Sequence, residues 1–153
     1  MTYRIHIATP DDSPALLQFF RSVASENDID IVLTPEEFVG NEDEERQILA
    51  DFATSDNSVY FIATTEENEV IGFLCCKGLI RKRVSHVTSL SMSVLKQWRG
   101  KKVGHTLMEA MVEWGRQNSA IHRIELSVTA RNARAIHLYE KFGFQEKVCA
   151  KIL

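Results

Sequence analysis

The stretch Val94-Leu95-Lys96-Gln97-Trp98-Arg99-Gly100-Lys101-Lys102-Val103-Gly104-His105-Thr106-Leu107 carries the residue types of an anion site. It reads as a strand end, a short basic loop and a helix start. A helix start presents unpaired N–H groups and a partial positive charge. Glycine lets the main chain come close to a ligand, and Arg99, Lys101 and Lys102 add full charges. Together these suit a diphosphate, although an ordinary charged turn has the same composition. GxxxxGK[ST] and GxGxxG are both absent, so the loop is neither a Walker loop nor a dinucleotide fingerprint.

Charge is divided along the chain. The formal net charge is −3. Between Glu26 and Asp51 stand ten acids (Glu26, Asp28, Asp30, Glu36, Glu37, Glu42, Asp43, Glu44, Glu45, Asp51) against Arg46 alone. From Val70 to Met108 there is no acid, while Lys77, Arg81, Lys82, Arg83, Lys96, Arg99, Lys101 and Lys102 are present. A basic segment in an acidic protein fits a local anionic ligand better than a whole-surface polyanion. Nucleic acid is not expected as a partner: few aromatics interleave with these bases, only Phe73 just before them and Trp98 within.

The elements that would position this loop follow from hydrophobic periodicity. Tyr3–Ile7 alternates as a first strand. Leu16, Leu17, Phe20, Val23 and Ala24 mark a helix over about Ser13–Ser25. Thr34-Pro35-Glu36-Glu37 has the signature of a second helix start, which Gly40-Asn41 interrupts; Ile48, Leu49 and Phe52 mark the apolar stripe after it. Val59–Ala63 and Val70–Cys76 form a hairpin around Glu66–Glu69. Val87–Val94 is a fourth strand, and the helix after the basic loop turns Leu107, Met108, Met111, Val112 and Gly115 inward. Ile124–Val128 is a fifth strand, Ala133–Phe142 a last helix stopped by Gly143, and Gln145–Ile152 a sixth strand. The fourth strand, helix and fifth strand make a βαβ unit, which pairs those strands in parallel. The fold class is α/β (α+β): one mixed, mainly antiparallel sheet with helices on both faces.

Composition sets the outer limits. With 153 residues, 44% of them apolar and 25% charged, the chain reads as one compact domain and not a disordered or fibrous one. No apolar run approaches the ~20 residues of a membrane span, and Met1–His6 lacks an apolar h-region. A cytoplasmic protein with no membrane partner is expected. Cys75, Cys76 and Cys149 are odd in number and include no CxxC. Neighbours on a strand face opposite ways, so Cys75 and Cys76 are poorly placed to pair, and reduced, packed thiols are expected. His6, His86, His105, His122 and His137 have no metal-ligand spacing, so no metal is expected.

Two segments carry a family resemblance. Arg99–Gly104 is similar to the R/Q-x-x-G-x-G/A loop of the GNAT acetyltransferases, which cradles the coenzyme A pyrophosphate there. Asn132-Ala133-Arg134-Ala135-Ile136-His137-Leu138-Tyr139-Glu140-Lys141-Phe142-Gly143-Phe144 resembles that family's N-x-x-A-x-x-x-Y-x-K-x-GF segment. They stand in the family's order, and the resemblance covers Tyr3 to Phe144. It implies a GNAT-like fold, a single acetyltransferase domain over residues 1–153, and acetyl-CoA as cosubstrate. The implied activity is transfer of an acetyl group directly to a primary amine of a small molecule or a peptide N-terminus. A non-catalytic acyl-CoA-binding or regulatory protein on the same scaffold is the alternative.

The resemblance also implies roles for residues. Arg99, Gly100, Lys101, Lys102, Val103, Gly104, His105 and Thr106 would hold the pyrophosphate. Backbone amides of Met92, Ser93 and Val94, at a parting between the fourth and fifth strands, would hold the pantetheine arm, with Val94 polarising the carbonyl. Asn132 and Ala135 would add contacts, and Asn132 also reads as a helix cap. Tyr139 is the implied general acid; a core aromatic is its other reading. Glu125 and His86 are the candidate bases, and each also reads as a solvated surface residue.

Two departures from the family pattern matter. Lys102 stands where the family loop usually has its first glycine; if that position needs positive φ, lysine is strained there. Nine residues follow Phe144, room for one short strand where the family has two, so an open edge, or one completed by a second protomer in a homodimer, is expected. The acidic block lies where the family borders its acceptor, so a cationic acceptor is expected: a polyamine, another small amine or amino acid, or a peptide N-terminus.

Overall fold

A computed structural model describes residues 2–26, 40–79, 82–128 and 131–146. The strands are β1 (Tyr3–Ile7), β2 (Val59–Thr65), β3 (Val70–Gly78), β4 (Val87–Val94) and β5 (Arg123–Glu125). The helices are α1 (Ser13–Ser25), α2 (Glu42–Thr54), α3 (Val103–Gln117) and α4 (Ala133–Lys141). The five strands form one sheet in the order β1-β2-β3-β4-β5. All neighbours pair antiparallel except β4 and β5, which are parallel across α3. The mixed class and the βαβ unit expected from the sequence are both present. No helix among the described residues is long and apolar enough to cross a membrane.

Successive strand residues point to opposite faces, and β3 shows which helices take which. Phe73 packs edge-on against Phe19 and Phe20 of α1, with ring centroids 5.8 and 5.4 Å apart. Its neighbour Gly72 faces Val103 of α3, where an added Cβ would stand 3.3 Å from Val103 Cγ1, Val94 Cγ2 and the Ser93 carbonyl. So α1 and α3 cover opposite faces. Val103, Leu107, Met108 and Met111 of α3 are all buried. At ~1.5–3 kcal/mol for each fully buried large apolar side chain, this face holds α3, and with it the loop at its start.

The helix expected after Gly40-Asn41 is present: the Asn41 side chain accepts the Glu44 N–H at 2.8 Å as the N-cap of α2. Two expectations are corrected. The apolar stripe of α2 is rotated: Ile48 is exposed, and Glu45 and Leu49 are buried. Last, β5 is shorter than Ile124–Val128. Its parallel register with β4 runs from Val87↔Arg123 only to Ser89↔Glu125, so Leu126–Val128 are not in the ladder. The second helix start at Thr34–Glu37 and most of the expected strand Gln145–Ile152 lie outside the described residues.

Candidate active site

The short ladder of β5 has a chemical consequence. β4 continues to Val94, paired with β3 as far as Gly72↔Val94, but beyond Ser89 it has no partner on its other side among the described residues. In an antiparallel ladder, main-chain groups alternate between the two sides of a strand. The Leu95 N–H donates to Ile71 O at 2.9 Å and the Leu79 N–H to Val87 O at 3.1 Å. The odd-numbered residues of β4 therefore pair with β3. Leu90, Met92 and Val94 turn their N–H and C=O groups to the open side. Of the three amides expected to hold an extended ligand, Met92 and Val94 are available and Ser93 is committed to the sheet.

The basic loop follows directly. Lys96–Trp98 is a single 3-10 turn, and Gly100 and Lys102 take left-handed conformations, φ 78° and φ 65°. Lys102 is the N-cap of α3: its carbonyl accepts the Thr106 N–H at 2.9 Å and the Thr106 hydroxyl at 2.8 Å. Among the described residues, no partner takes the N–H groups of Gly100 to His105. The loop is pinned from β1, where the Tyr3 hydroxyl donates to Lys101 O at 3.2 Å and lies 3.2 Å from Thr106 Oγ1. Tyr3 also meets the buried Trp98 edge-on, and the Lys101 ammonium stands 5.7 Å from the Trp98 ring centroid. From α1's end, Glu26 Oε2 accepts the Lys96 N–H at 2.9 Å while its Oε1 stands 4.0 Å from Arg99 Nη2. The loop is thus preformed, with charges and free amides at its crest. Val103 contributes only its amide, since its side chain is buried.

Gly104 lets three elements converge. A Cβ there would lie 3.2 Å from Leu138 Cδ2 of α4 and 3.7 Å from Met92 Cε of β4. His105 sits against the Phe142 ring at 5.0 Å and 3.2 Å from Glu109 Oε1. At the start of α4 the Asn132 side chain accepts the Ala135 N–H at 3.2 Å, the capping role read from sequence. Tyr139 is 8% exposed, packs on Phe144, and makes no hydrogen bond through its hydroxyl among the described residues. Burial pushes its pKa above the ordinary phenol value, so it is a protonated donor at neutral pH.

The two candidate bases are not brought equally close. His86 is exposed at the far end of β4 beside His122; eight residues at ~3.3 Å each put it about 26 Å from Val94. The structure does not bring it to the loop. Glu125 shares a rung with Ser89 and lies 3.5 Å from Arg123 Nε, three residues of β4 from Met92.

One inward-facing acid was not singled out from the sequence. Glu45 is 8% exposed on α2, with no hydrogen bond or ion pair to its carboxylate among the described residues, and burial raises its pKa. The signal was its place one turn before Leu49 and two before Phe52, on the sheet-facing side. The acidic run around it hid that signal.

The fold and loop are matched by a family model, the acetyltransferase (GNAT) family, over residues 27–144. The chain belongs to the GNAT acetyltransferase family. It is 35% identical to L-amino acid N-acetyltransferase AaaT of Escherichia coli (strain K12) over 79 residues, 52% of this chain and 49% of that protein. The match thus spans about half of that relative's length. Among solved structures, a GNAT acetyltransferase from Streptococcus pneumoniae superposes with TM-score 0.87 at 29% identity, covering 93% of this chain and 83% of that one. Ribosomal-protein-alanine N-acetyltransferase from Brucella melitensis gives TM-score 0.79 at 27% identity, with 95% and 86% covered. Among the described residues, no group of His, Cys, Asp or Glu is placed to hold a metal.

Proposed function

We propose that this GNAT chain is an acetyl-CoA-dependent N-acetyltransferase acting on a primary amine of an amino acid or a peptide N-terminus. One observation carries the reading: the unpaired edge of β4 runs straight into a preformed turn of free amides at a helix start. Arg99, Gly100, Lys101, Lys102, Val103, Gly104, His105 and Thr106 would hold the diphosphate through amides and charge. Met92 and Val94 would hold the pantetheine arm by strand-like hydrogen bonds, with Asn132 and Ala135 flanking it. The cosubstrate supplies an acyl thioester. An amide of β4 would polarise its carbonyl, and the Tyr139 hydroxyl would give the leaving sulfur a proton. Of the two candidate bases, Glu125 and His86, Glu125 lies nearer and would take the amine's proton. The relative named for L-amino acids and the neighbour named for a ribosomal-protein alanine support the acceptor class.

A thiol-release assay with acetyl-CoA and a panel of amines tests this. Amine-dependent release supports it; binding of acetyl-CoA with no release by any amine overturns it in favour of a non-catalytic acyl-CoA-binding protein, the reading favoured by lysine at the left-handed position. We also propose that a second copy completes the sheet beside β5; sedimentation at micromolar concentration would show a dimer, and a strict monomer would exclude it.

A further inference from the structure

Three observations meet at the peptide group that joins Lys101 to Lys102. Its carbonyl is held from outside the loop, where the Tyr3 hydroxyl donates to Lys101 O at 3.2 Å. That hydroxyl comes from a seated ring: Tyr3 pairs with Thr65 in the β1–β2 ladder and meets the buried Trp98 edge-on, with ring centroids 6.2 Å apart. The N–H of the same peptide, that of Lys102, has no partner among the described residues. Lys102 itself stands at φ 65°, ψ 16°, a left-handed conformation that a residue with a Cβ avoids.

The geometry of a trans peptide links the three. Its C=O and N–H leave opposite edges of one plane. With the Lys101 oxygen turned to Tyr3, the Lys102 N–H is turned away from it and left unpaired. On the other side of Lys102 the chain is fixed, because its carbonyl accepts the Thr106 N–H at 2.9 Å and the Thr106 hydroxyl at 2.8 Å. Strain at Lys102 is therefore released most simply by turning the preceding plane over, which changes only ψ of Lys101 and φ of Lys102. Half a turn would carry φ to about −115°, within the range open to L-residues. It would also put a carbonyl where an N–H had been, an acceptor in place of a donor beside an anion site. The strained orientation suits a diphosphate and the relaxed one opposes it. Strain of this kind lowers a population about five- to thirtyfold, and one hydrogen bond restores about two- to twelvefold. The two factors are of the same order, so the hydroxyl weighs measurably on the balance between the orientations.

We infer that the Tyr3 hydroxyl is a latch: it keeps the Lys101–Lys102 peptide in the strained orientation, N–H turned from Tyr3, that a diphosphate needs. Tyr3 is thus a positioning residue, acting through Lys102 without touching the ligand. Lysine at position 102 creates the need for the latch, since glycine carries no such strain and keeps the competent orientation populated with or without the hydroxyl. The inference rests on the diphosphate seat proposed above.

The test is a double-mutant cycle read by calorimetry, with the acetyl-CoA Kd measured for the wild type, Tyr3→Phe, Lys102→Gly and the double variant. Phenylalanine keeps the ring against Trp98 and loses the hydroxyl alone. Apparent affinity falls in proportion to the fraction of competent loop. Tyr3→Phe should therefore raise Kd about three- to tenfold in the wild-type background, and no more than about twofold in the Lys102→Gly background, where at least about half the loops stay competent. A hydroxyl that only braces the loop would cost the same factor in both backgrounds, and that result overturns the inference while the diphosphate seat stands. So does a Kd that Tyr3→Phe leaves unmoved in the wild-type background. A wild type that binds no acetyl-CoA overturns the seat and the latch together.

Discussion

Replacing Lys102 by glycine removes a Cβ from a residue held at φ 65°, ψ 16°. A left-handed conformation costs an ordinary L-residue about 1–2 kcal/mol. Glycine escapes that cost but gives back about 0.5–1 kcal/mol through its freer unfolded chain, and it serves as well as threonine at an N-cap. The net expectation for Lys102→Gly is a gain of about 0.5–1 kcal/mol. In a chain of this length that raises Tm by about 1–4 °C. Lys102→Ala is the control: it loses the same ammonium and keeps the Cβ, so its stability should stay within about 0.5 kcal/mol of the wild type. Thermal unfolding by circular dichroism, without ligand, reads both. The pair also separates two contributions to acetyl-CoA affinity. Lys102→Ala isolates the exposed ammonium, worth about 0.2–1 kcal/mol or up to fivefold in Kd; the difference between alanine and glycine isolates close approach of the main chain. A Lys102→Gly protein that melts below Lys102→Ala would refute the strain reasoning.

Other expectations follow from the same geometry. Tyr139→Phe should cut kcat about tenfold or more with the acetyl-CoA Kd unchanged; equal turnover removes Tyr139 from the chemistry. Gly72→Ala should destabilise by about 1–3 kcal/mol, because its methyl would meet the Ser93 carbonyl and two valine methyls at 3.3 Å; an unchanged Tm would show that β4 yields freely there. For Glu45 the folded-state pKa is raised above 4.5, so its contribution is favourable below pH 4.5 and is lost as pH rises through the folded value. Glu45→Gln should therefore raise Tm at pH 7, by the few degrees that about 1 kcal/mol represents, and leave it unchanged near pH 4; a loss at pH 7 would mean the carboxylate is satisfied. Cys75 and Cys76 are pushed up to about 12 by burial, above the unfolded value of 9.0. Their stabilising contribution holds below pH 9 and fades as pH rises toward 12, and both should resist iodoacetamide at pH 8 as long as the protein is folded.

Much of this site was legible in the sequence because it is local. The loop from Arg99 to Gly104 and the segment from Asn132 to Phe144 are contiguous, and their charges, glycines and cap lie at fixed spacings. The strain at Lys102 was readable as a departure from glycine, and the φ of 65° is what that departure anticipated. What escaped was set by register. Whether Ser93 donates to β3 or to a ligand depends on which residue of β3 it faces, and the Phe73↔Ser93 pairing decides it. His86 looked close because it immediately precedes the strand that carries Met92, but distance accumulates along an extended strand. Glu45 disappeared into a run of acids; only the rotation of α2, fixed by packing of Leu49 and Phe52 against the sheet, turns it inward while Ile48 faces out.

The most direct measurement is a titration of the 15N-labelled protein with acetyl-CoA, following backbone amide shifts. The largest changes should fall on the amides of Gly100 to Thr106 and on Met92 and Val94, with Ser93 much less affected because its N–H stays in the β3 ladder. An absence of shifts at saturating ligand, or shifts confined to the basic stretch around Lys77 and Arg83, would contradict a diphosphate seat at the start of α3.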